Sequence, residues 1–423
     1  MNSQIQDFLS FLDNSPTAIQ ASQQILNRLR AAGWTQLEET AAWSLEPGGR
    51  YFVQRQGSAV IAFAIGSKPL PDSGFLLSAS HMDSPGLKLK PDSLKTENSV
   101  SRIGVEVYGS PIISTWIDRE LGIAGRVVVQ DKGEYSSYAL DLKRPVAVIP
   151  NAAIHLNREI NKGFEYNKQT QLLAILNTST LAGNPLLAAI AEELQTSPER
   201  IVAMDLFLYD GTPATLAGLD QSLVVSGRLD NLAMTHAILS ALTAVQNPVS
   251  TCVAAFYDHE EIGSRSPQGA VSLLLTEVLE RITLALRLSR EQFYQALRSS
   301  FLISADMAHA YHPSYKEKYD PDYSPVMNQG PVLKYHVGLN YASTAESSAR
   351  FAALCAAAKV NFQKFLIRSD LLCGSTVGPI VSAQLGVPAV DVGNPLWAMH
   401  SARETCGVCD HTALIKVLKE YYQ

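Results

Sequence analysis

Short apolar runs that stop on a histidine or a carboxylate recur along this chain, and they alternate with helix-spaced segments. Phe75-Leu76-Leu77-Ser78-Ala79-Ser80 ends at His81-Met82-Asp83, and the breaker Ser84-Pro85-Gly86 follows. Leu223-Val224-Val225 leads into Ser226-Gly227-Arg228-Leu229-Asp230-Asn231. Residues 251–257 form a strand candidate that runs into Asp258-His259-Glu260-Glu261, and Phe301-Leu302-Ile303 stops shortly before Asp306. Residues 387–392 read as a buried strand, and 51–65 as strand-like. Phe8, Leu12, Ile19, Ile25 and Leu29 fall at helical spacing, and helices are expected over 271–288 and 345–360. Alternation of this kind limits the chain to an α/β fold with a mostly parallel sheet covered by helices on both faces.

A chain of 423 residues exceeds one ordinary core, so two domains are expected. Residues from about 95 to 223 read differently from the rest. Short β-rich pieces (103–108, 125–130, 146–149) surround a polar, turn-rich middle. This predicts an inserted domain over 95–223 that interrupts a main domain of 1–94 and 224–423. With 46% hydrophobic and 17% charged residues the composition is globular.

The formal charge is −6 and no basic block occurs, which argues against nucleic acid or an anionic membrane as partner. No stretch approaches the roughly 18 apolar residues needed to span a bilayer. Met1-Asn2-Ser3-Gln4-Ile5 lacks the basic start and apolar core of a leader, so a cytoplasmic location is expected. The five cysteines form an irregular set that suits a reducing compartment. Cys406 and Cys409 make a lone C-x-x-C with no second pair to complete a four-thiolate site, which leaves ordinary thiols as the plain reading.

The chemistry gathers at the ends of the apolar runs. His81, Asp230, Glu260, Glu261, Asp306 and His400 lie just past such runs or in turn-rich stretches near them. In open α/β sheets ligands bind outside the carboxyl ends of strands. Imidazoles and carboxylates are the ligands zinc takes when thiolates are absent. Asp and Glu are rarely buried unless paired or bound to metal. Asp83, two residues beyond His81, is placed to accept the second N–H of a ligand histidine. Adjacent Glu260 and Glu261 fit one metal ligand and one base aimed at a water.

Each residue alone also has a plainer reading. His81 suits an ordinary hydrogen-bonded histidine, Asp230 and Asp306 suit helix caps, and Asp258 to Glu261 suits a solvated acidic turn. Rival motifs fail: Gly263 stands where H-E-x-x-H needs its second histidine, and no P-loop, G-x-G-x-x-G or G-x-S-x-G is present.

Five segments together resemble the aspartyl aminopeptidase family, in order and over nearly the whole chain. They are Ser80 to Gly86, Gly227 to Asn231, Asp258 to Ser264, Ser304-Ala305-Asp306-Met307-Ala308-His309-Ala310, and Ala398-Met399-His400-Ser401-Ala402-Arg403-Glu404. The resemblance implies a zinc-peptidase catalytic domain and an inserted dimerisation domain. His81, Asp230 and Asp306 would hold one zinc ion, and Asp230, Glu261 and His400 a second, with Asp230 bridging. Glu260 would be the general base, with Asp83 as its catalytic companion. His155, in Asn151-Ala152-Ala153-Ile154-His155-Leu156, would enter a neighbouring subunit's site. His309, Lys334 and Tyr341 would lie beside substrate. Taken singly, His155 also suits a surface histidine, Lys334 a solvated cation and His309 a neighbour of the ligand Asp306.

The implied reaction removes the first residue of a peptide with a free N-terminus, using a water activated by two zinc ions. Mn²⁺ or Co²⁺ suits the same oxygen and nitrogen ligands. Lys334 suggests a preference for Asp or Glu as the first residue. Family members form homo-oligomers, dodecamers built from dimers. Two alternatives stand beside this reading: a neutral-residue, leucine-type aminopeptidase, and a non-catalytic assembly or binding protein that kept the same shell.

Overall fold

Successive residues of a strand face opposite sides of its sheet, so a strand buried on both sides is mostly apolar, and the polar residues it carries must be paired. Phe75–His81 and Thr251–Tyr257 are such strands, buried at every position. Phe75, Leu77, Ala79, Val253, Ala255 and Tyr257 enter one core, while Leu76, Cys252, Ala254 and Phe256 enter the other. The computed structural model describes residues 3–179, 181 and 183–423. Met1 and Asn2, the first two residues of the stretch read for a leader, lie outside the described residues.

The main sheet has nine strands, in the order Thr35–Gln36, Arg50–Arg55, Ala59–Ala64, Thr251–Tyr257, Phe75–His81, Phe301–Ala305, Ala389–Gly393, Val332–Tyr335 and Gln363–Leu366. Its centre, Thr251–Tyr257 through Ala389–Gly393, is parallel, and Ala59–Ala64 joins it antiparallel. Helices Ser3–Asp13, Ala18–Ala31, Leu229–Thr243, Ala345–Ala357 and Val408–Tyr421 cover one face through Phe8, Leu29, Leu239, Phe351 and Leu418. Leu274–Ala285, Arg290–Ser299 and Val377–Leu385 cover the other through Leu279, Phe293 and Val381. Each such side chain contributes roughly 1.5–3 kcal/mol by leaving water. Truncating Phe256 at the sheet centre to alanine would cost about 3–5 kcal/mol. The α/β class, the parallel centre and the helices on both faces match the sequence reading.

A second, antiparallel sheet contains Leu173–Asn177, Val100–Tyr108, Gly86–Leu89, Ile201–Asp210, Leu121–Asp131 and Glu134–Asp141, with Lys95–Glu97 added on Val100–Tyr108. Its own core holds Leu87, Val105, Ile123, Leu206 and Leu208. This sheet starts at Gly86, before the boundary expected at 95. A short run such as Gly86–Leu89 has the same apolar pattern whichever sheet it joins, so composition does not reveal the switch. The expected end at 223 also differs, because Thr215–Ala217 pairs with Leu223–Ser226 in a third, five-stranded sheet that also carries Glu404–Gly407, Pro395–Trp397 and Ala308–His309. Residues 146–149 make only isolated bridges, Ala147 to Leu121 and Val148 to Ile175.

Candidate metal centre

Three neighbouring parallel strands deliver the site. Tyr257 pairs with His81 and Ser304 with Ala79, so Thr251–Tyr257, Phe75–His81 and Phe301–Ala305 end at one edge. The chain leaves them at Glu260 and Glu261, at His81 and Asp83, and at Asp306. Helix Leu229–Thr243 brings Asp230 from one face. Asp230 itself is extended (φ −81°, ψ 105°) and its carboxylate caps nothing; it points to His81 and His400. The helix-cap reading of Asp230 therefore gives way. Arg228, His259 and His400 have φ of 60°, 64° and 70°, left-handed values uncommon outside glycine, and each is a site residue or sits within two residues of one.

Two ligand triads result. Donor atoms of His81, Asp230 and Asp306 lie within 4.8 Å of one another, as do those of Asp230, Glu261 and His400; a third grouping joins His81, Glu260 and Glu261. His81 Nε2 is 3.7 Å from Asp230 Oδ1 and 3.8 Å from Asp306 Oδ2. His400 Nε2 is 3.4 Å from both Asp230 Oδ2 and Glu261 Oε2. Ligands about 2.0–2.1 Å from a tetrahedral zinc sit roughly 3.4 Å apart, so the spacing suits a shared ion. Asp230 gives one oxygen to each triad.

Both imidazoles are fixed from behind, a common device for orienting metal ligands. His81 Nδ1 lies 3.0 Å from the Asp83 carbonyl and 3.5 Å from its Oδ1, so the backbone oxygen is the nearer partner. His400 Nδ1 lies 3.1 Å from the Ser110 carbonyl. The Asp83 carboxylate accepts instead from the backbone N–H groups of Glu260 and Glu261, both at 3.1 Å, and from the Tyr108 hydroxyl at 2.8 Å. Glu404 is buried and accepts from the N–H of His400 at 2.7 Å and of Asp230 at 3.0 Å.

The electrostatics favour cations. Burial, with neighbouring carboxylates adding to it, pushes Glu260 up to about 7 and holds Glu261 and Asp306 above the ordinary carboxylate range. Burial works in the same direction on Asp230, but the His400 hydrogen bond and the charges of His81, His400 and Lys334 overcome it and hold Asp230 low. Burial opposes the charged form of His400, yet Asp230 and Glu261 raise it to about 10. Asp230 Oδ1 and Glu261 Oε1 are buried and have no hydrogen-bond partner. An uncompensated buried carboxylate costs several kcal/mol, a penalty that a bound divalent cation would reduce. The donor set, hard oxygens and imidazole, fits zinc.

The structure brings together His81, Asp83, Asp230, Glu260, Glu261, Asp306 and His400. Lys334 is buried; its ammonium donates to the Met307 carbonyl at 3.1 Å, lies 3.5 Å from Asp306 Oδ1, and sits 4.9 Å above the Tyr341 ring. It is therefore no solvated cation. Burial and the Lys334 charge push His309 down to about 4, which keeps it neutral. His155 is exposed in the inserted region and, among the described residues, makes no hydrogen bond or ion pair with these groups. Sequence reading gave no role to Tyr108, Ser110 or Glu404. Glu404 lies inside the last of the five family-like segments, whereas nothing in the sequence marked Tyr108 and Ser110.

A family model described as aminopeptidase I zinc metalloprotease (M18) matches residues 11–422. The chain is 43% identical over 424 residues to a probable M18 family aminopeptidase 2 of Clostridium novyi, covering 98% of each. Its fold is similar to the solved structure of the Ape4 and Nbr1 complex, with a TM-score of 0.95 and 36% identity over 99% of this chain and 85% of that one. It is also similar to the S. cerevisiae mApe1 dodecamer, with a TM-score of 0.87 and 27% identity over 100% of this chain and 97% of that one.

Proposed function

The chain belongs to the M18 family of zinc aminopeptidases, which are hydrolases, and on that premise we propose that His81, Asp230, Glu261, Asp306 and His400 hold two zinc ions and that Glu260 is the general base. One observation carries this reading: Asp230 offers one carboxylate oxygen to each of two ligand triads. When bound, zinc supplies Lewis acidity that polarises a carbonyl and lowers the pKa of water. Mn²⁺ or Co²⁺ fits the same donors.

The remaining work falls to the chain. Glu260 Oε2, 4.0 Å from His81 Nε2, takes a proton from the attacking water and hands it to the departing amine. That role needs a group with a pKa near the working pH, and burial moves Glu260 in this direction. Asp83 binds the backbone N–H groups of Glu260 and Glu261, so both carboxylates keep their places. The substrate's free amino group meets the carboxylate-rich edge, which limits cutting to the first bond. His309, Lys334 and Tyr341 border the first side chain. Lys334 attracts an acidic one, because a buried ammonium rewards a facing carboxylate. The chain forms homo-oligomers, a dodecamer built from dimers through the inserted domain, as the likeness to the mApe1 dodecamer supports. In that assembly the exposed His155 enters a neighbouring subunit's site. The enzyme acts on peptides in the cytoplasm. Among the described residues no helix is long and apolar enough to cross a membrane.

A neutral-residue preference is the second reading, and one observation favours it. The Lys334 ammonium already faces Asp306 and the Met307 carbonyl, while His309 is held neutral. Release of the first residue from matched peptides beginning with Asp, Glu, Leu or Ala, with and without a chelator, separates the two. Chelator-sensitive release favouring Asp and Glu is expected. Release favouring Leu would keep the reaction and overturn the acidic pocket. No release from zinc-loaded protein would overturn the enzymatic reading of this site.

A further inference from the structure

The second sheet touches the metal centre through one strand end. Val100–Tyr108 belongs to that sheet, and its last residue, Tyr108, donates its hydroxyl to Asp83 Oδ2 at 2.8 Å. Gly109 follows with φ 67°. A Cβ there would lie 3.2 Å from the Glu261 Cβ and 3.4 Å from the Glu261 carbonyl oxygen, so with this φ a larger residue would be strained and would press on Glu261. The Ser110 carbonyl accepts from His400 Nδ1 at 3.1 Å, and the Ile112 N–H donates to the His400 carbonyl at 2.9 Å. Thr115 Oγ1 accepts from the Ala402 N–H at 2.9 Å. Residues 108–115 therefore grip the loop that carries His400, press on Glu261, and complete the hydrogen bonds of Asp83.

These contacts have chemical consequences. With Nδ1 tied to the Ser110 carbonyl, the His400 proton is fixed on that nitrogen and Nε2 is left to face Asp230 and Glu261. With Tyr108 on one oxygen, Asp83 keeps its lone pairs aligned on the N–H groups of Glu260 and Glu261. Tyr108 is itself held by the second sheet, edge-on to Phe207 with ring centroids 5.4 Å apart. Removing its hydroxyl would leave Asp83 Oδ2 with the Glu261 N–H alone and loosen the hold on the Asp83 carboxylate.

We propose that Tyr108 is a positioning residue, and that through residues 108–112 the docked position of the second sheet sets the zinc affinity and turnover of a site whose ligands all come from outside that sheet. The inference rests on the metal-centre reading above. It makes the inserted domain part of the catalytic apparatus through contacts within one chain, whatever its role between chains.

Tyr108→Phe removes one hydroxyl and nothing else. In the full-length, zinc-loaded protein kcat should fall about 10-fold with KM within twofold, and zinc affinity in competition with a chromophoric chelator should weaken about 10-fold, in the range for partners of metal ligands. A merely structural role would lower the melting temperature and leave kcat, KM and zinc affinity of the folded protein alone. Zinc affinity and kcat within twofold of the parent would overturn the proposal. Should Tyr108→Phe yield no soluble protein, Ile112→Pro decides. Its φ of −74° already suits proline, and it removes the N–H bonded to the His400 carbonyl. Weaker zinc binding is expected there, and unchanged binding overturns the proposal. A parent protein that neither binds zinc nor cleaves peptides would instead sink the metal-centre reading, so the two failures remain distinct.

Discussion

Among the described residues, two clusters set buried histidines beside aspartate, and they behave in opposite ways. At the sheet edge His81 and His400 face Asp230, Glu260, Glu261 and Asp306, and these partners lift both imidazoles against the effect of burial. On one helical face His236 and His411 form a chain instead: His236 Nε2 lies 3.0 Å from Asp7 Oδ2 and His236 Nδ1 lies 2.9 Å from His411 Nε2. Phe8 stacks on His411 at 3.8 Å, and burial pushes both of these histidines below their ordinary value. The first cluster has an excess of carboxylate converging on shared points. The second has one carboxylate at the end of a line, with apolar packing beside it. Histidine and aspartate in proximity do not make a metal site; a surplus of inward-facing negative charge does.

Asp230→Asn should break the contrast most completely. It removes the negative charge that both triads share and turns one of the two carboxylate oxygens into an amide nitrogen, so bound zinc measured by mass or absorption should fall at both positions and turnover should drop below detection. Retention of two zinc ions would refute the shared-ligand reading. Glu260→Gln comes next: about 10²- to 10⁴-fold lower kcat with zinc content unchanged, the signature of a lost base rather than a lost ligand. Lys334→Ala should lower the preference for acidic over neutral first residues about tenfold, equivalent to about 1.4 kcal/mol, as measured by kcat/KM on matched peptides. Equal losses on both substrate types would assign Lys334 to supporting Asp306 instead.

The helical cluster should respond in stability and not in zinc content. His411→Phe leaves His236 Nδ1 without a partner, while Nε2 keeps Asp7, and should cost about 1–3 kcal/mol in denaturant unfolding. The smallest effect is on pH dependence. Asp7 is held below its ordinary value of 3.8, first by the His236 hydrogen bond, so the stability it contributes is present above that value and is lost as pH falls. His236 and His411 are held below 6.5 by burial, so staying neutral stabilises the fold above 6.5 and that contribution is lost as pH falls. All three signs agree. Lowering the pH from 7 to 5 should reduce the denaturant midpoint, and His411→Phe should flatten that slope.

Much of the candidate metal centre was legible from strand ends. His81, Asp306 and the Asp258 to Glu261 turn follow apolar runs, and a parallel sheet aligns the ends of such runs at one edge. For Lys334 the resemblance implied a place beside substrate and the residue alone suited a solvated cation; its burial against Asp306 required the strand Val332–Tyr335 to be seated beside Ala389–Gly393. The boundary at 95 missed Gly86–Leu89 because sheet membership is a matter of pairing and not of composition. The Asp7, His236 and His411 line was invisible, since three residues on three helices meet only after the helices pack.

The sequence by itself determined the α/β class, the order of elements and the residue types gathered for the chemistry. These follow from local periodicity and from where apolar runs stop, which are properties of neighbours in the chain. The tertiary structure decided which oxygen of Asp230 serves which triad, that the Asp83 carboxylate binds the N–H groups of Glu260 and Glu261 while its carbonyl is nearer His81, and that Tyr108 and Ser110 reach the site from another sheet. Such contacts depend on the docking of surfaces far apart in sequence, and a hydrogen bond is lost when that docking changes by about an ångström, a distance that no pattern of residue types encodes.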